Sequence, residues 1–545
     1  MRFFVITLLF FLALPVFSQL APQLYFIEFT DKNNGPFSLQ QPEQYLSAKA
    51  IQRRVSQQIP IDQFDIPVTP MYVDSMRNMG FQVRTVSKWL NGVVVYTDNP
   101  ALLLQLSGIS FVSGYLKNSE IVPSTKLEVT PVVSAKAGTR STDYGYGQTQ
   151  IAQVHGDYLH NLNYKGQGML IAILDAGFNR SDSIDAFDYL FNNNRIVYTY
   201  DVINDSDYVF SYHSHGTMVL SVLAANVPGT LVGTAPEADY ALIRTEEGSS
   251  EYVIEEYYLA TGLEHADSIG ADVVNISLGY STFDDPAQDH IWADLDGNTC
   301  TASIVARKAA AKGMALVVSA GNSGNDSWTK IGVPADADSI LTAGSVNSSG
   351  GYSSFSSIGP SADGRVKPDV VAMGEMTWVY STAGDVFQGN GTSFASPLLA
   401  GLVACFWQST PELKPQELLQ FVRMSADQFN TPDEFRGYGL PDFAQALFLA
   451  NNLQIEDPYS DHFIEAYPNP FKDQFTFKIY TTDSQYIHIN LTDISGRNVY
   501  RELTYISGWT QNTIQVTLPG DVGNGIYFLD ISGDTKLYRN ILVKN

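Results

Sequence analysis

Cysteine is almost missing from this chain: its 545 residues hold two, Cys300 and Cys405. No disulfide framework can hold it together, so its cores must be packed apolar side chains. The two could form one disulfide in an exported protein, but Cys405 falls in an apolar helical run, so two buried free thiols are the preferred reading. Basic residues are scarce as well. Against 57 aspartates and glutamates stand 32 lysines and arginines, a net charge of −25. That balance excludes nucleic acid and anionic membrane as partners, because no basic stripe exists to neutralise phosphates. Long apolar runs are confined to the start. Met1-Arg2 followed by Phe3 to Phe17 reads as a secretory leader ending at Ser18, and no later stretch reaches the roughly 18 apolar residues of a membrane span. Apolar residues still make up 44% of the chain, which rules out wholesale disorder, and the length implies several domains.

Residues 19–118 read as a small α+β module, with strands Leu24 to Phe29 and Val93 to Tyr96 and helices Pro42 to Arg54 and Tyr72 to Met79. Residues 119–148, rich in Pro, Ser, Thr, Gly and Ala, read as an exposed linker open to proteolytic nicking. From 149 to 452 the pattern becomes α/β. Apolar runs at Leu170 to Leu174, Tyr240 to Ile243, Val273 to Ile276, Ala315 to Val318 and Ile340 to Ala343 alternate with helical stretches such as Glu251 to Ser268 and Ala302 to Lys312. Continuous apolar strands separated by helices predict a parallel sheet buried on both faces, with its ligand site beyond the carboxyl ends of the strands. A polar linker at 453–465 leads to 466–545, where apolar residues alternate with period two (Phe475, Phe477, Ile479; Ile487, Ile489, Leu491; Ile514, Val516, Leu518), as in a β-sandwich.

The unusual polar residues cluster at strand ends. Asp175 closes an apolar strand, His215 opens an apolar helix beside Gly216, and Asn322 follows the strand Ala315 to Val318. Ser393 sits after the glycine turn Asn390-Gly391-Thr392, at the start of a helix in which Pro397 is tolerable as a first-turn residue. Any one of these alone is as well explained by a turn or a helix cap. Together they are what nucleophilic acyl transfer requires: Ser393 attacks, His215 accepts its proton, Asp175 orients the imidazole, and Asn322 with the Ser393 amide binds the oxyanion. The order Asp, His, Ser separates this arrangement from other triads.

The segments Asp175-Ala176-Gly177, His215-Gly216-Thr217, Ser319-Ala320-Gly321-Asn322 and Gly391-Thr392-Ser393-Phe394-Ala395-Ser396-Pro397 resemble those of subtilisin-like serine peptidases. The resemblance covers about Tyr144 to Ala450. It implies a secreted serine endopeptidase whose substrates are proteins or peptides. It further implies that Ser277, Leu278 and Gly279, and likewise Ser319, Ala320 and Gly321, supply edges where substrate backbone pairs as an added strand. No cofactor is implied for catalysis; a structural Ca²⁺ is common in such peptidases, with no position assignable in this sequence. Met373 departs from the family's usual proline after Lys367 to Ala372. By placement, 19–118 is similar to the inhibitory propeptide of these enzymes. Tyr467-Pro468-Asn469-Pro470-Phe471, Gly525-Ile526-Tyr527-Phe528-Leu529 and Leu542-Val543-Lys544-Asn545 resemble the C-terminal sorting domain of the Bacteroidetes type IX secretion system. That likeness implies the outer-membrane secretion machinery as a partner and a secreted or cell-surface location.

One rival belongs to another class, a catalytically silent surface protein that keeps the scaffold for binding; a second keeps the triad but acts on esters or on a single dedicated protein. Asp294-Leu295-Asp296-Gly297-Asn298 resembles the start of a calcium loop but lacks the closing glutamate, so it reads as a helix N-cap. Glu246, Glu247, Glu251, Glu255 and Glu256 read as a solvated helix face, with a preference for basic substrate residues as the alternative.

Overall fold

The computed structural model describes residues 23–120, 143–452, 463–481, 485–494, 496–506, 510–520, 522–533 and 537–544. The leader at 1–18, and the parts of the two expected linkers at 121–142 and 453–462, lie outside them. The chain forms two compact units, Met1–Asn452 and Leu453–Asn545.

The first unit opens with four antiparallel strands, β1 (Gln23–Phe29), β2 (Gln82–Ser87), β3 (Gly92–Thr97) and β4 (Val112–Glu120), in the order β2-β3-β1-β4. Alternate residues of β1 serve two cores. Tyr25, Ile27 and Phe29 pack with Tyr72, Val73 and Met76 of the helix Pro70–Asn78. Leu24 and Phe26, with Trp89 and Val94, join the large core of the α/β part instead, where the Phe26 ring lies 4.6 Å from that of Tyr257. This double burial is why β1 is apolar at nearly every position. The helix expected from Pro42 to Arg54 is a short 3₁₀ turn, Pro42–Gln44, followed by the helix Ala48–Ser56, which Ser47 caps by accepting the N–H of Ala50.

The α/β part is built on β5 (Leu170–Asp175), β6 (Ile196–Asp201), a two-residue ribbon β7 (Asn226–Val227) and β8 (Leu231–Val232), β9 (Asp239–Arg244), β10 (Val273–Ile276), β11 (Ala315–Ser319), β12 (Leu341–Val346) and β13 (Val370–Met373). Seven of these form one sheet, ordered β13-β12-β11-β10-β5-β9-β6, with every pairing parallel. β5, β10, β11, β12 and β13 are buried along their whole length, as a sheet with helices on both faces requires. β6 gave no clear sequence signal: it is an edge strand, and only its last residue, Asp201, is buried. β9 and β10 flank β5 on opposite sides, so the chain changes direction across the sheet there, and a crevice opens beyond its carboxyl end.

The linker expected to run to Gln148 ends earlier. Tyr144 is buried with Ile151 and Val232, and Gly145 bridges to Leu231, so residues 143–148 are already docked on the α/β part. In the second unit, Phe463–Tyr467, Gln474–Thr481 and Thr510–Thr517 form one antiparallel sheet. Asn498–Ile506, Gln485–Asp493, Gly525–Ser532 and Leu537–Lys544 form the other. The alternating residues Phe475, Phe477, Ile479, Ile487, Ile489 and Leu491 meet in a shared core. Its first strand begins at Phe463, inside the stretch read as linker to 465.

Candidate active site

Asp175 is the last residue of β5, and its side chain is fully buried. His215 is the first residue of the helix His215–Ala224, and its Nδ1 lies 2.9 and 3.0 Å from the two carboxylate oxygens of Asp175. Gly216 makes that approach possible: its N–H donates to the Gly177 carbonyl at 3.1 Å, and a Cβ at this position would stand 2.4 Å from the same oxygen. Asp175 is held in turn, its Oδ1 accepting the Ala176 N–H and its carbonyl accepting that of Thr245. Burial by itself lowers the His215 pKa. The charge of Asp175, the hydrogen bond to it and the charge of Glu246 outweigh burial, and the imidazole ends above its ordinary 6.5. His213, the nearest rival in sequence, is lowered by burial and by the neighbouring His215; its Nδ1 accepts the His215 backbone N–H at 3.2 Å.

Ser393 is the second residue of the helix Thr392–Ser409, so its N–H has no acceptor within the helix. A Cβ placed on Gly391 would lie 2.7 Å from Ser393 Oγ and 3.7 Å from Asn322 Nδ2, so those two atoms border one small space that only a glycine leaves open. The Asn322 side chain is oriented by Thr392, whose N–H and Oγ1 both donate to its Oδ1, at 2.9 and 3.0 Å. That orientation identifies the oxygen and turns the NH₂ outward. The helices bearing His215 and Ser393 pack on each other, with the rings of His215 and Phe394 6.3 Å apart.

Pro397 is the sixth residue of its helix, beyond the first turn expected for it. Its missing N–H leaves the Ser393 carbonyl without a partner four residues on, and Ser277 Oγ donates to that carbonyl at 3.0 Å. Asn275 donates to Ser277 Oγ at 2.9 Å and accepts from Ser396 Oγ at 2.7 Å, so a relay of three side chains underlies the serine turn. Asn275 and Ser396 had no assigned role. The available signal was Asn275 itself, the one polar side chain in the strand Val273–Ile276.

The two expected pairing edges differ. Past Ser277 and Leu278 the chain reaches the exposed Gly279, and regular pairing resumes at Tyr280, which exchanges both backbone bonds with Val333. Ser319, Ala320 and Gly321 sit deeper. Ala320 bonds to Ala343 and Gly332, and Gly321 to Thr392 Oγ1 and Ser357, so this segment is a wall and not an open edge.

The glutamates do not form a solvated face. Glu255 and Glu256 are each 1% exposed, because segments of the α/β part itself close over them: Glu255 accepts the N–H groups of Glu247 and Tyr252 at 2.9 and 3.2 Å. Glu256 is bonded to His290 Nε2 at 2.6 Å and to the Ala302 N–H at 2.8 Å. The Asp294 to Asn298 segment does not fit a cation. Asp296 accepts the N–H groups of Asn298 and Thr299 and the Thr299 hydroxyl, and Asp294 accepts that of Ile291. It forms a turn ahead of the helix Thr301–Ala311, whose N-cap is Cys300. Both cysteines are buried and free, and among the described residues no helix is long and apolar enough to cross a membrane.

The subtilase family, peptidase S8, matches residues 166–439. A Bacteroidota peptidase S8 propeptide domain matches 24–131, and a secretion system C-terminal sorting domain matches 465–545. Subtilisin DY of Bacillus licheniformis is 30% identical over 290 residues, covering 52% of this chain and 92% of the relative. Subtilisin E of Bacillus subtilis (strain 168) is 31% identical over 277 residues, covering 50% and 62%. Serine protease AprX of the same strain is 25% identical over 300 residues, covering 49% and 63%. The chain thus spans about three fifths of the length of the latter two. The solved structure of MycP1 from Mycobacterium smegmatis aligns at 21% identity with a TM-score of 0.46, over 59% of this chain and 89% of that one.

Proposed function

From a chain that belongs to the subtilase family and is a subtilisin-like serine endopeptidase, made as a precursor with a propeptide and sent out of the cell by a C-terminal sorting domain, we infer the following mechanism. Ser393 Oγ attacks the scissile carbonyl while His215 Nε2 takes its proton. Asp175 keeps the imidazole in the tautomer that carries hydrogen on Nδ1 and stabilises the imidazolium. The Ser393 N–H and Asn322 Nδ2 donate to the oxyanion of the tetrahedral intermediate. His215 then protonates the leaving amine, and water releases the acyl group by the same path in reverse. Ser277 to Gly279 pair with the substrate backbone, and Ser319 to Gly321 wall the pocket beside it. No cofactor enters this chemistry.

The observation that carries this reading is the Asp175–His215 pairing, with both carboxylate oxygens within 3.0 Å of Nδ1 at the carboxyl end of β5. Residues 19–118 inhibit the enzyme until the chain is cut within 119–148, ahead of the docked residues 143–148, which stay with the peptidase; the C-terminal unit, whose first strand begins at Phe463, directs export. Support for inhibition is the buried contact between the N-terminal module and the helix Ile254–Ile269, where Glu264 accepts Ser87 Oγ, Lys88 N–H and Trp89 N–H at 2.5, 2.8 and 3.0 Å. The test is a fluorophosphonate probe on the processed protein with the adduct mapped, beside casein hydrolysis by wild type and Ser393→Ala. Labelling elsewhere, or equal turnover by the variant, removes the assignment. The expected loss in kcat is on the order of 10⁶, the magnitude known for subtilisin itself.

A further inference from the structure

Three carboxylates, Glu246, Glu251 and Glu255, lie beside the proposed site, and among the described residues none of them is held in an ion pair. Glu246 follows Thr245, whose N–H is bonded to the Asp175 carbonyl, and its charge acts on both Asp175 and His215. Glu255 accepts the N–H groups of Glu247 and Tyr252 at 2.9 and 3.2 Å, which folds residues 247–252 back over the start of the helix Ile254–Ile269. Glu251 is tied to the segment after β10: its N–H donates to Asp284 Oδ2, and its carbonyl accepts the Asp284 N–H. Burial, with the charge of Asp175, pushes Glu246 up to about 7; burial with the charges of Glu246 and Asp284 raises Glu251, and burial with those of Glu246 and Glu251 raises Glu255, both well above the carboxylate range. Arg244, the cation beside them in sequence, is engaged elsewhere, by Asp201, by Glu247 and by the face of Tyr212 at 3.7 Å. Among the described residues, neither the Glu246 nor the Glu251 carboxylate receives a hydrogen bond or an ion pair, although both side chains keep partial access to solvent.

An independent observation points to the same place. Tyr280, the residue after the Ser277 to Gly279 edge, is 1% exposed, and its hydroxyl has no hydrogen-bond partner among the described residues. After burial, the charges that act on it are those of Glu246, Glu255, Glu251 and Glu256. A buried hydroxyl without a partner, set among carboxylates without a cation, is an acceptor set that lacks its donor.

We propose that Glu246, Glu251 and the Tyr280 hydroxyl form a subsite for a lysine or arginine side chain of the substrate, on the side of the scissile bond whose backbone pairs with Ser277 to Gly279, with Glu255 holding the segment 247–252 behind them. This rests on the peptidase reading above. An ammonium or guanidinium group brings several N–H donors and one positive charge, which the free carboxylates and the phenol oxygen accept together. A bare metal ion fits poorly: both Glu255 oxygens already accept backbone N–H groups, and among the described residues no group of three or more His, Cys, Asp or Glu is placed to hold a metal.

The test uses the processed enzyme at pH 8 with fluorogenic peptides that differ only in lysine, arginine or norleucine at each of the four positions before the scissile bond. At one position a basic residue should raise kcat/KM by about tenfold or more. That ratio should fall toward one in Glu246→Gln/Glu251→Gln, and Glu251→Lys should shift the preference toward a peptide with glutamate there. Indifference of the wild type at all four positions overturns the subsite, and so does a preference that survives in the double variant. Fluorophosphonate labelling of the same preparations keeps the two readings apart. A wild type unlabelled at Ser393 sinks the peptidase assignment, whereas one that is labelled but indifferent sinks only the subsite.

Discussion

Ser277 Oγ donates to the carbonyl oxygen of Ser393 at 3.0 Å, filling the place that the N–H of residue 397 would take if it were not proline. A side chain from just past the end of β10 therefore completes the first turns of the helix that carries Ser393. Ser277→Ala leaves that buried carbonyl without a donor and should cost about 1–3 kcal/mol, read as a lower urea midpoint with an unchanged slope. Its backbone, which the proposed mechanism pairs with substrate, is untouched, so KM should hold. Pro397→Ala restores the helical N–H, and the double variant should recover most of the loss. A double-mutant cycle measures that coupling, and additivity of the two changes would refute it.

Activity should respond to pH through His215. In the proposed mechanism it accepts a proton and must be neutral, and its pKa is raised, so the acidic limb of kcat/KM should lie above the ordinary 6.5 of an imidazole. Glu246, itself near 7 and acting on His215, should broaden that limb beyond a single titration. Asp175→Asn removes the charge that raises the imidazole and leaves the burial that lowers it. The limb should therefore move to lower pH, while the wrong tautomer brings kcat down by about 10⁴. A pH–rate profile of both proteins checks the direction. A limb that stays in place, or moves upward, is the contrary result.

Gly391 and Asn322 test the oxyanion side. A Cβ on Gly391 would stand 2.7 Å from Ser393 Oγ, so Gly391→Ala must displace the hydroxyl and should lower kcat by about 10² or more. Asn322→Leu removes a donor without touching Ser393. The expected loss in kcat is about 10²–10³ with KM little changed, the magnitude known for this donor in subtilisin. Fluorophosphonate labelling should be slowed in both variants, and a KM effect alone would count against the role given to Asn322.

Five strands of the sheet were legible because each is an apolar run, a pattern that needs no tertiary information to read; β6, a part-exposed edge, carries no such run. Asp175, His215, Asn322 and Ser393 were legible for a related reason: each breaks an apolar run at an end, where a polar group has no packing role to explain it. The glutamates misled because Glu251, Glu255 and Glu256 have the helical spacing of a wet face. What closes over Glu255 and Glu256 is the segment 247–252 folded back on the helix start, together with His290 and the Ala302 N–H, and nothing in the helical spacing announces them. Pro397 was misplaced for the opposite reason. Nothing local says that Ser277 will replace the hydrogen bond it removes.

The contact that holds the N-terminal module is made of buried charge. Arg54 bonds to Asp267 at 2.8 Å and to Asp65 at 3.0 Å, with all three side chains almost wholly out of water, and Arg53 reaches Asp267 at 2.5 Å. Lys312 closes the network on Asp65 at 2.8 Å. Arg54→Ala leaves Asp65 and Asp267 buried with a charge removed, and should cost about 3–5 kcal/mol. The exposed pair Arg77–Asp74 at 3.0 Å is the control: Arg77→Ala should cost about 0–1 kcal/mol. Both are measured as urea midpoints of the uncut precursor carrying Ser393→Ala, so that no cleavage intervenes. Acid should act on the same contact. Burial pushes the Asp65 carboxyl up, but its bonds to Lys312 and the Asp62 N–H and the charges of Lys312 and Arg54 outweigh burial and leave it below 3.8. Its contribution is therefore complete above 3.8 and lost as pH falls through the lowered value. Acidification below 3.8 should weaken the wild-type precursor more than Asp65→Asn, and equal loss in the two proteins would show that Asp65 does not govern the docking.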